Sequence, residues 1–203
     1  MKRKRISIIT GLCLTILTLG ACSSQSQSNK TETTASTTQL QTAKHQDVRF
    51  NVDKIKVGSK DENFKGGSSL AELKSLFGEP AKQFDTPAGD VTLKGYTWTF
   101  DNVSVTAQLL EDSTIVRTIN NFQFVRDAKI TQKQYNKLEN GISFTQVKDI
   151  LGVPDTLSEA ISSDKAELQA SWTSGIKSST SNPNITLTFE NGQLTSKTQV
   201  GLN

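Results

Sequence analysis

Two short stretches of this chain share one pattern of apolar and polar positions, and both predict amphipathic helices with defined ends. In residues 69–80 and again in residues 143–154, apolar side chains recur at spacings of three and four, as on one face of a helix. These apolar positions are Leu70, Leu73, Leu76, Phe77, Phe144, Val147, Ile150 and Leu151. A serine before each stripe is followed three residues later by Glu72 or Gln146, which is the pattern of a capping box. A glycine and then a proline follow each stripe and favour the end of a helix there.

After each of these helices the apolar spacing changes to two, which is typical of half-buried strands. The apolar strand positions are Tyr96, Trp98, Phe100, Val103, Val105, Ala107, Leu168, Ala170, Trp172, Ile185, Leu187 and Phe189. The alternate positions carry mainly hydroxyl groups, at Thr97, Thr99, Ser104, Thr106, Gln108, Ser171, Thr173, Thr186, Thr188 and Glu190. Asn191-Gly192 then predicts a two-residue hairpin turn. We therefore predict antiparallel meanders with one apolar face against the helices and one hydroxyl-rich face towards solvent or a partner.

The two helical stretches are related by an offset of 74 residues, and the same offset places Trp98 on Trp172. Because the chain has two tryptophans in all, this agreement indicates an internal duplication. We assign a first repeat to residues 48–126 and a second to residues 127–203. A unit of roughly 70 residues buries only about 60% of its unfolded-chain surface, so we expect the two units to pack together as one body.

The remaining elements have weaker signals. Val48, Phe50 and Val52 alternate with polar residues, and we predict a half-buried strand there. Residues 131–139 predict a helix before the second capped helix. At the matching place in the first repeat, residues 61–65 predict only a helical stub.

The N-terminal residues run from a basic start, through an apolar stretch at positions 6–19, to Leu19-Gly20-Ala21-Cys22. This order resembles a bacterial lipoprotein signal peptide with its lipobox. The resemblance implies a signal peptide at residues 1–21 and a diacylglyceryl group on Cys22, which would place the protein at the extracytoplasmic face of the cell membrane. The apolar stretch is shorter than the roughly 20 residues that a membrane-spanning helix requires. Residues 22–47 are then the lipidated cysteine and a disordered tether rich in serine, threonine and glutamine.

Removal of the signal peptide changes the charge balance of the chain. The full chain has a net charge of +3, but the four basic residues near its start leave with the signal peptide. The rest has 19 lysines and arginines against 20 aspartates and glutamates, or about −1. We therefore expect no nucleic-acid partner.

Side chains for metal binding and nucleophilic catalysis are scarce in the expected folded region. His45 is the one histidine of the chain and falls in the tether, while Cys13 falls in the signal peptide and Cys22 carries the lipid. The expected folded region therefore excludes two kinds of site: a nucleophile activated by imidazole, and a zinc site built from histidine and cysteine. We expect no metal, no cofactor and no enzymatic activity. Three carboxylate pairs remain, which we interpret as exposed loop charges: Asp61 with Glu62, Glu111 with Asp112, and Asp164 with Glu167.

The chain resembles a family of Gram-positive surface lipoproteins with tandem domains similar to the β-lactamase inhibitor protein (BLIP). The pieces that carry the resemblance are the lipobox at Cys22, Asn140-Gly141 with residues 143–154, Ser171-Trp172-Thr173, and residues 184–202. The resemblance implies an α+β fold of tandem BLIP-like repeats, each with two short helices packed on an antiparallel β-meander. The same plan is similar to that of small outer-membrane assembly lipoproteins. The family name describes architecture, and fold similarity does not by itself carry function.

Tyr96, Trp98 and Trp172 are the candidate binding residues, because aromatic side chains dominate protein interfaces. Their shared strand face favours the alternative that they are core residues. In that case the hydroxyl-rich face and the serine-rich insertion at residues 174–184 are the candidate binding surfaces. The leading hypothesis is a non-catalytic, lipid-anchored binding or scaffold protein of the cell envelope with a protein partner. The alternative is a protein inhibitor of a β-lactamase-like or penicillin-binding enzyme, with a loop inserted into the active site.

Overall fold

The computed structural model describes residues 43–203, so the expected signal peptide, Cys22 and most of the expected tether lie outside the described residues. The helices are α1 (Gln46–Lys54), α2 (Leu70–Phe77), α3 (Gln132–Asn136) and α4 (Phe144–Leu151), with a 3₁₀ turn (Lys60–Glu62) between α1 and α2. The strands are β1 (Lys82–Ala88), β2 (Val91–Phe100), β3 (Val103–Leu110), β4 (Ser113–Asn120), β5 (Thr156–Ile161), β6 (Ala166–Trp172), β7 (Asn184–Glu190) and β8 (Gln193–Val200).

The eight strands form one sheet in chain order, and each strand is antiparallel to the next. The predicted α+β class is confirmed, with an antiparallel sheet and a few short helices. Strands β4 and β5 lie on either side of α3 and α4 in the chain, yet they pair directly, with Thr118 opposite Ser158. This pairing joins the strands of the first half and those of the second into a continuous sheet.

The predicted ends of α2 and α4 are confirmed. The Ser69 hydroxyl accepts the N–H of Glu72, and the Glu72 carboxylate accepts the N–H of Ser69 at 2.8 Å. Ser143 and Gln146 make the same reciprocal pair at the start of α4. Each helix ends at a glycine with positive φ, which is a conformation that glycine adopts without strain. Local chemistry therefore specifies where these two helices begin and end.

The strand predicted around Val48, Phe50 and Val52 is wrong, because these residues belong to helix α1. Val48, Val52 and Ile55 are spaced as on one helical face and are buried, while Phe50 is 43% exposed. In so short a segment, apolar residues four positions apart, such as Val48 and Val52, fit both the period of a strand and that of a helix. The packing of α1 against α2 favours the helix.

The start of the folded body also differs from the prediction. Ala43 is buried and α1 begins at Gln46, so the last residues of the predicted tether belong to the body. In place of the predicted stub at residues 61–65, the structure has the 3₁₀ turn at Lys60–Glu62. Helix α1 packs against α2 as α3 packs against α4, which means that the first helix of the first half lies earlier in the chain than the offset of 74 predicts.

The two tryptophans have matching surroundings in the two halves. The indole N–H of Trp98 donates to the carbonyl of Gly78 at 2.8 Å, and that of Trp172 donates to the carbonyl of Gly152 at 3.0 Å. Both glycines are the C-terminal caps of the capped helices, α2 and α4. Each indole therefore connects the C-terminal end of one helix to the sheet by a hydrogen bond.

Two arginine side chains connect helix α1 to the junction between the halves. The Arg49 side chain is fully buried, and its Nε donates to the carbonyl of Pro154 at 3.0 Å. Arg117 on β4 donates to Glu159 on β5 at 2.7 Å and also to the carbonyl of Ile55, just after α1, at 2.7 Å. Because these contacts cross from one half to the other, the halves form one body in the described residues.

Candidate binding face

The register of the strands separates the sheet into two faces. Opposed residues of neighbouring strands lie on the same face, and Tyr96 pairs with Ala107 as Trp98 pairs with Val105. These side chains are buried in one apolar cluster with residues of α1 and α2. The residues that alternate with them lie on the other face, which we call the open face.

One row of opposed residues crosses the open face from the first strand to the last. Its members are Lys82, Thr97, Thr106, Thr118, Ser158, Gln169, Thr188 and Ser196. We call this set the hydroxyl row, because six of its eight members are threonine or serine. It runs without interruption over the β4–β5 junction, so both halves contribute to one surface. All its members are half-buried or exposed.

Hydrogen bonds between strands order the hydroxyl groups of this row. The hydroxyls of Thr97 and Thr106 lie 3.1 Å apart, and those of Thr118 and Ser158 lie 2.9 Å apart. A hydroxyl has one donor and two acceptor positions, so each of these groups retains capacity for a partner. Threonine is also branched at Cβ and has few rotamers to lose, which lowers the entropic cost of binding.

The end of the open face at the β5–β6 and β7–β8 turns carries two carboxylates bridged by one ammonium group. Glu167 on β6 lies opposite Glu190 on β7, and the Lys165 ammonium contacts both carboxylates, at 2.6 and 2.5 Å. The hydrogen bonds to Glu167 and then Glu190 raise the pKa of Lys165 above its ordinary value. The ammonium therefore stays charged between two carboxylates that would otherwise repel each other.

Phe84 lies on the open face beside the hydroxyl row. It pairs with Gly95, and a Cβ placed on Gly95 would meet the Phe84 ring at 2.3 Å, which shows that the ring lies across the glycine. The Lys82 ammonium lies 5.7 Å from the centre of the same ring. An aromatic and a cation therefore border one end of the hydroxyl row. The sequence analysis missed Phe84, although a glycine inside an alternating strand is a signal that something approaches closely.

Thr118 and Ser158, at the centre of the hydroxyl row, were also missed by the sequence analysis. The pairing of β3 with β4 shifts register between Gln108 and Leu109, and this bulge interrupts the alternation that would have predicted β4.

The candidate aromatic residues do not belong to the open face. Trp98 is 1% and Trp172 0% exposed, and Tyr96 is also buried. The rings of Tyr96 and Trp98 are neighbours, with centres 6.4 Å apart, whereas Trp172 belongs to a separate apolar cluster in the second half. The burial of all three side chains favours the core alternative, and the two indole N–H groups are used within the fold. The candidate lipidation site, Cys22, lies outside the described residues.

Two of the three carboxylate pairs lie in exposed turns, as predicted. Asp112 lies in the exposed β3–β4 turn, where its carboxylate accepts the N–H of Leu70 at 2.9 Å and supports the start of α2. Asp61 and Glu62 lie in the exposed 3₁₀ turn. Within residues 43–203, no three histidine, cysteine, aspartate or glutamate side chains come together as a metal site would require.

His45 lies against the body and not in the tether where it was predicted. Its ring packs on Phe100 with centres 5.9 Å apart, and its Nε2 lies 2.6 Å from the Asp101 carboxylate. The Lys44 ammonium donates to the same carboxylate at 2.6 Å, and hydrogen bonds from Lys44 and His45 lower the pKa of Asp101. This contact fastens the start of the described chain to the β2–β3 turn.

The helices of residues 43–203 are all too short or too polar to cross a membrane. The serine-rich insertion predicted between strands is present as the connection between β6, which ends at Trp172, and β7, which begins at Asn184.

The chain is similar to a crystal structure from Streptococcus mutans that is described as a "putative beta-lactamase inhibitor protein". The two sequences are 44% identical, the match covers 79% of this chain and 99% of that chain, and the TM-score is 0.76. The chain matches no curated protein. Residues 44–202 match the family described as "Domain of Unknown Function with solved-structure structure (DUF3862)", and this chain belongs to that family.

Proposed function

We propose that this protein is a non-catalytic, lipid-anchored protein of the cell envelope that binds another protein through its open face. The observation that carries the proposal is the hydroxyl row, which extends over all eight strands and both halves. The helices and buried aromatic side chains occupy the other face and hold the sheet rigid. A rigid scaffold that presents an ordered polar surface is suited to recognition.

The shape of the open face favours a protein partner over a small molecule. Small-molecule sites are concave and mostly apolar, whereas the open face is a broad sheet surface that is mainly polar and carries a few apolar side chains, at Phe84, Val116 and Ala160. Eight strands spaced about 4.8 Å apart give a width of about 34 Å, and five residues along each strand give a length of about 17 Å. The product, roughly 600 Å², approaches the area of about 800 Å² that each partner contributes to a standard protein interface. The relative described as an inhibitor protein also supports a protein partner.

The anchor is proposed from the sequence around Cys22. Two acyl chains on this residue would give stable membrane attachment at the extracytoplasmic face, because one chain alone binds only reversibly. Residues 23–42 would then separate the lipid from the body, with a coil span of about 25 Å if they are flexible.

We also propose that the two halves are tandem BLIP-like repeats that arose by duplication of one unit. The recurrence at an offset of 74 residues of the capping boxes, the glycine caps and the indole contacts supports this origin. The different position of α1 is then a divergence of the first unit.

The binding proposal is tested by crosslinking from defined positions. A photoreactive amino acid at Thr106, on the hydroxyl row, is expected to capture a protein in the native membrane, whereas the same group at Thr145, exposed on α4, is not. A Thr118→Arg substitution is expected to lower the capture from Thr106 at least about tenfold, because it places a large charged side chain at the centre of the row. Equal capture from both positions, or capture that Thr118→Arg leaves unchanged, would contradict the assignment of the binding face.

An inhibitor of a β-lactamase-like or penicillin-binding enzyme is the second candidate function. The observation that favours it is the description of the relative that is 44% identical. The purified protein would be titrated against a serine β-lactamase with a chromogenic substrate. Nanomolar inhibition that Thr118→Arg weakens would support this candidate, and full enzyme activity at micromolar protein would count against inhibition of that enzyme.

The anchor is tested by Cys22→Ser, which removes the sulfur that would carry the lipid. The variant is expected to stay unprocessed or to leave the membrane fraction, while the parent protein remains in that fraction. A matched Ser23→Ala change, one residue along, should leave both processing and retention unchanged. A Cys22→Ser protein that is cleaved after residue 21 and still fully retained by the membrane would rule the lipid out.

A further inference from the structure

Two of the three large apolar side chains that the described residues expose lie near one another, at the junction between the halves. Phe50 on α1 is 43% exposed and Val125, after β4, is 56% exposed. Phe124 connects them: its ring centre is 5.8 Å from that of Phe50, and it precedes Val125 in the chain. We call Phe50, Phe124 and Val125 the linker patch. Exposed apolar side chains grouped in this way mark a surface for a partner more often than isolated ones do.

The described chain begins beside this patch. Ala43, His45, Phe122 and Val125 line one groove, so the 42 preceding residues join the body next to the linker patch. If Cys22 carries a lipid, the bilayer surface is within reach of the patch. A short linker between two sites holds them at an effective concentration of about millimolar if it is flexible, so in that case even a weak contact would be populated.

The charges around the linker patch balance one another. Four cations near it in the chain are each paired with a carboxylate: Lys44 with Asp101, Arg49 with Asp53, Arg126 with Asp155, and Lys129 with Asp127. Asp47 and Lys54 lie one helical turn to either side of Phe50 and have opposite charges. The linker patch would therefore bind a partner surface by inserting its apolar side chains and not through net charge.

We propose that the linker patch docks on the lipid bilayer surface to which Cys22 is anchored, and that this contact directs the open face away from the membrane. Helix α1 packs on the face of the sheet opposite the hydroxyl row. Docking through Phe50 therefore leaves the open face free for its partner. This inference rests on the lipid anchor of the proposed function, and it adds an orientation that the anchor alone does not supply.

The experiment uses the full-length lipidated protein, reconstituted into phosphatidylcholine vesicles that carry a spin-labelled lipid as quencher. The body has no cysteine, so single fluorophores can be attached through Ala128→Cys, near the patch, and Ser196→Cys, at the end of the hydroxyl row. Quenching at position 128 is expected to be at least about threefold greater than at position 196. Replacing part of the phosphatidylcholine by phosphatidylglycerol should leave this ratio unchanged.

A double Phe50→Asp and Val125→Asp variant is expected to lower the quenching at position 128 to the level at position 196. A matched Lys133→Asp and Thr145→Asp variant, which changes exposed residues on α3 and α4, should leave quenching at position 128 unchanged. Thermal unfolding of both variants checks that the body stays folded.

The outcomes separate this inference from the anchor. Protein that does not float with the vesicles has no anchor, and both proposals fail. Protein that floats but shows equal quenching at both positions keeps the anchor and overturns the docking. Docking that appears only with phosphatidylglycerol overturns the apolar mode of contact.

Discussion

Replacing Asp155 by alanine is expected to lower the free energy of unfolding by about 3–5 kcal/mol, because it removes a buried charge that several donors require. The Asp155 side chain is fully buried between α4 and β5. One carboxylate oxygen accepts the N–H of Phe124 at 2.8 Å and the hydroxyl of Ser174 at 2.6 Å. The other accepts the N–H groups of Thr173 and Ser174 and the Arg126 guanidinium, at 2.7, 2.9 and 3.0 Å. The carboxylate therefore holds the linker between the halves and the start of the β6–β7 connection together.

The stability of Asp155→Ala would be measured by urea unfolding followed by tryptophan fluorescence. Asp127→Ala is the matched control, since Asp127 lies in the same linker but its side chain is 74% exposed and pairs with Lys129 at the surface. We expect that control to change the free energy of unfolding by less than about 1 kcal/mol. An Asp155→Ala protein as stable as the control would contradict the view that this carboxylate organises the junction.

Replacing Trp172 by alanine is expected to cost about 3–5 kcal/mol, and replacing Trp98 by alanine a similar amount, because each change leaves a large cavity under a helix end. Both indoles are almost completely buried and both donate to the carbonyl of a C-terminal glycine cap. Since β4 pairs with β5 in one continuous sheet, we also expect each variant to unfold in a single transition that involves both halves. Calorimetry and urea unfolding would measure the two effects.

The phenylalanine variants are the controls for the tryptophan pair. Trp98→Phe and Trp172→Phe retain most of the apolar volume and lose the N–H donor, and each is expected to cost clearly less than its alanine variant. Two separate transitions in either alanine variant would mean that the halves unfold independently. Alanine variants with very different costs would contradict the matching surroundings of the two indoles.

Local elements of this fold were predictable where all their determinants are close together in the chain. The serine, the acid or amide, the apolar stripe and the glycine of α2 or α4 lie within 10 residues, and their physical effects do not depend on the rest of the molecule. The Asn191-Gly192 turn was predictable for the same reason, and both residues have the positive φ that such a turn requires.

Helix α1 was not predictable from its own sequence. Its buried face includes Arg49, a residue that pattern analysis counts as polar. The arginine is buried because Asp53 and the distant carbonyl of Pro154 accept its hydrogen bonds. The contact with Asp53 is local, four residues along the same helix, but the Pro154 carbonyl is 105 residues away and no local pattern contains that partner.

By itself, the sequence determined the two capped helices, the turn chemistry, the apolar strand positions, and the alternation that gives each strand one hydroxyl-bearing side. These properties follow from neighbours a few residues apart. Tertiary structure alone decided that β4 meets β5, because this pairing joins residues about 40 apart in the chain. The hydroxyl row is a product of the strand register: its members are scattered from Lys82 to Ser196, and they form one surface only once all eight strands are aligned.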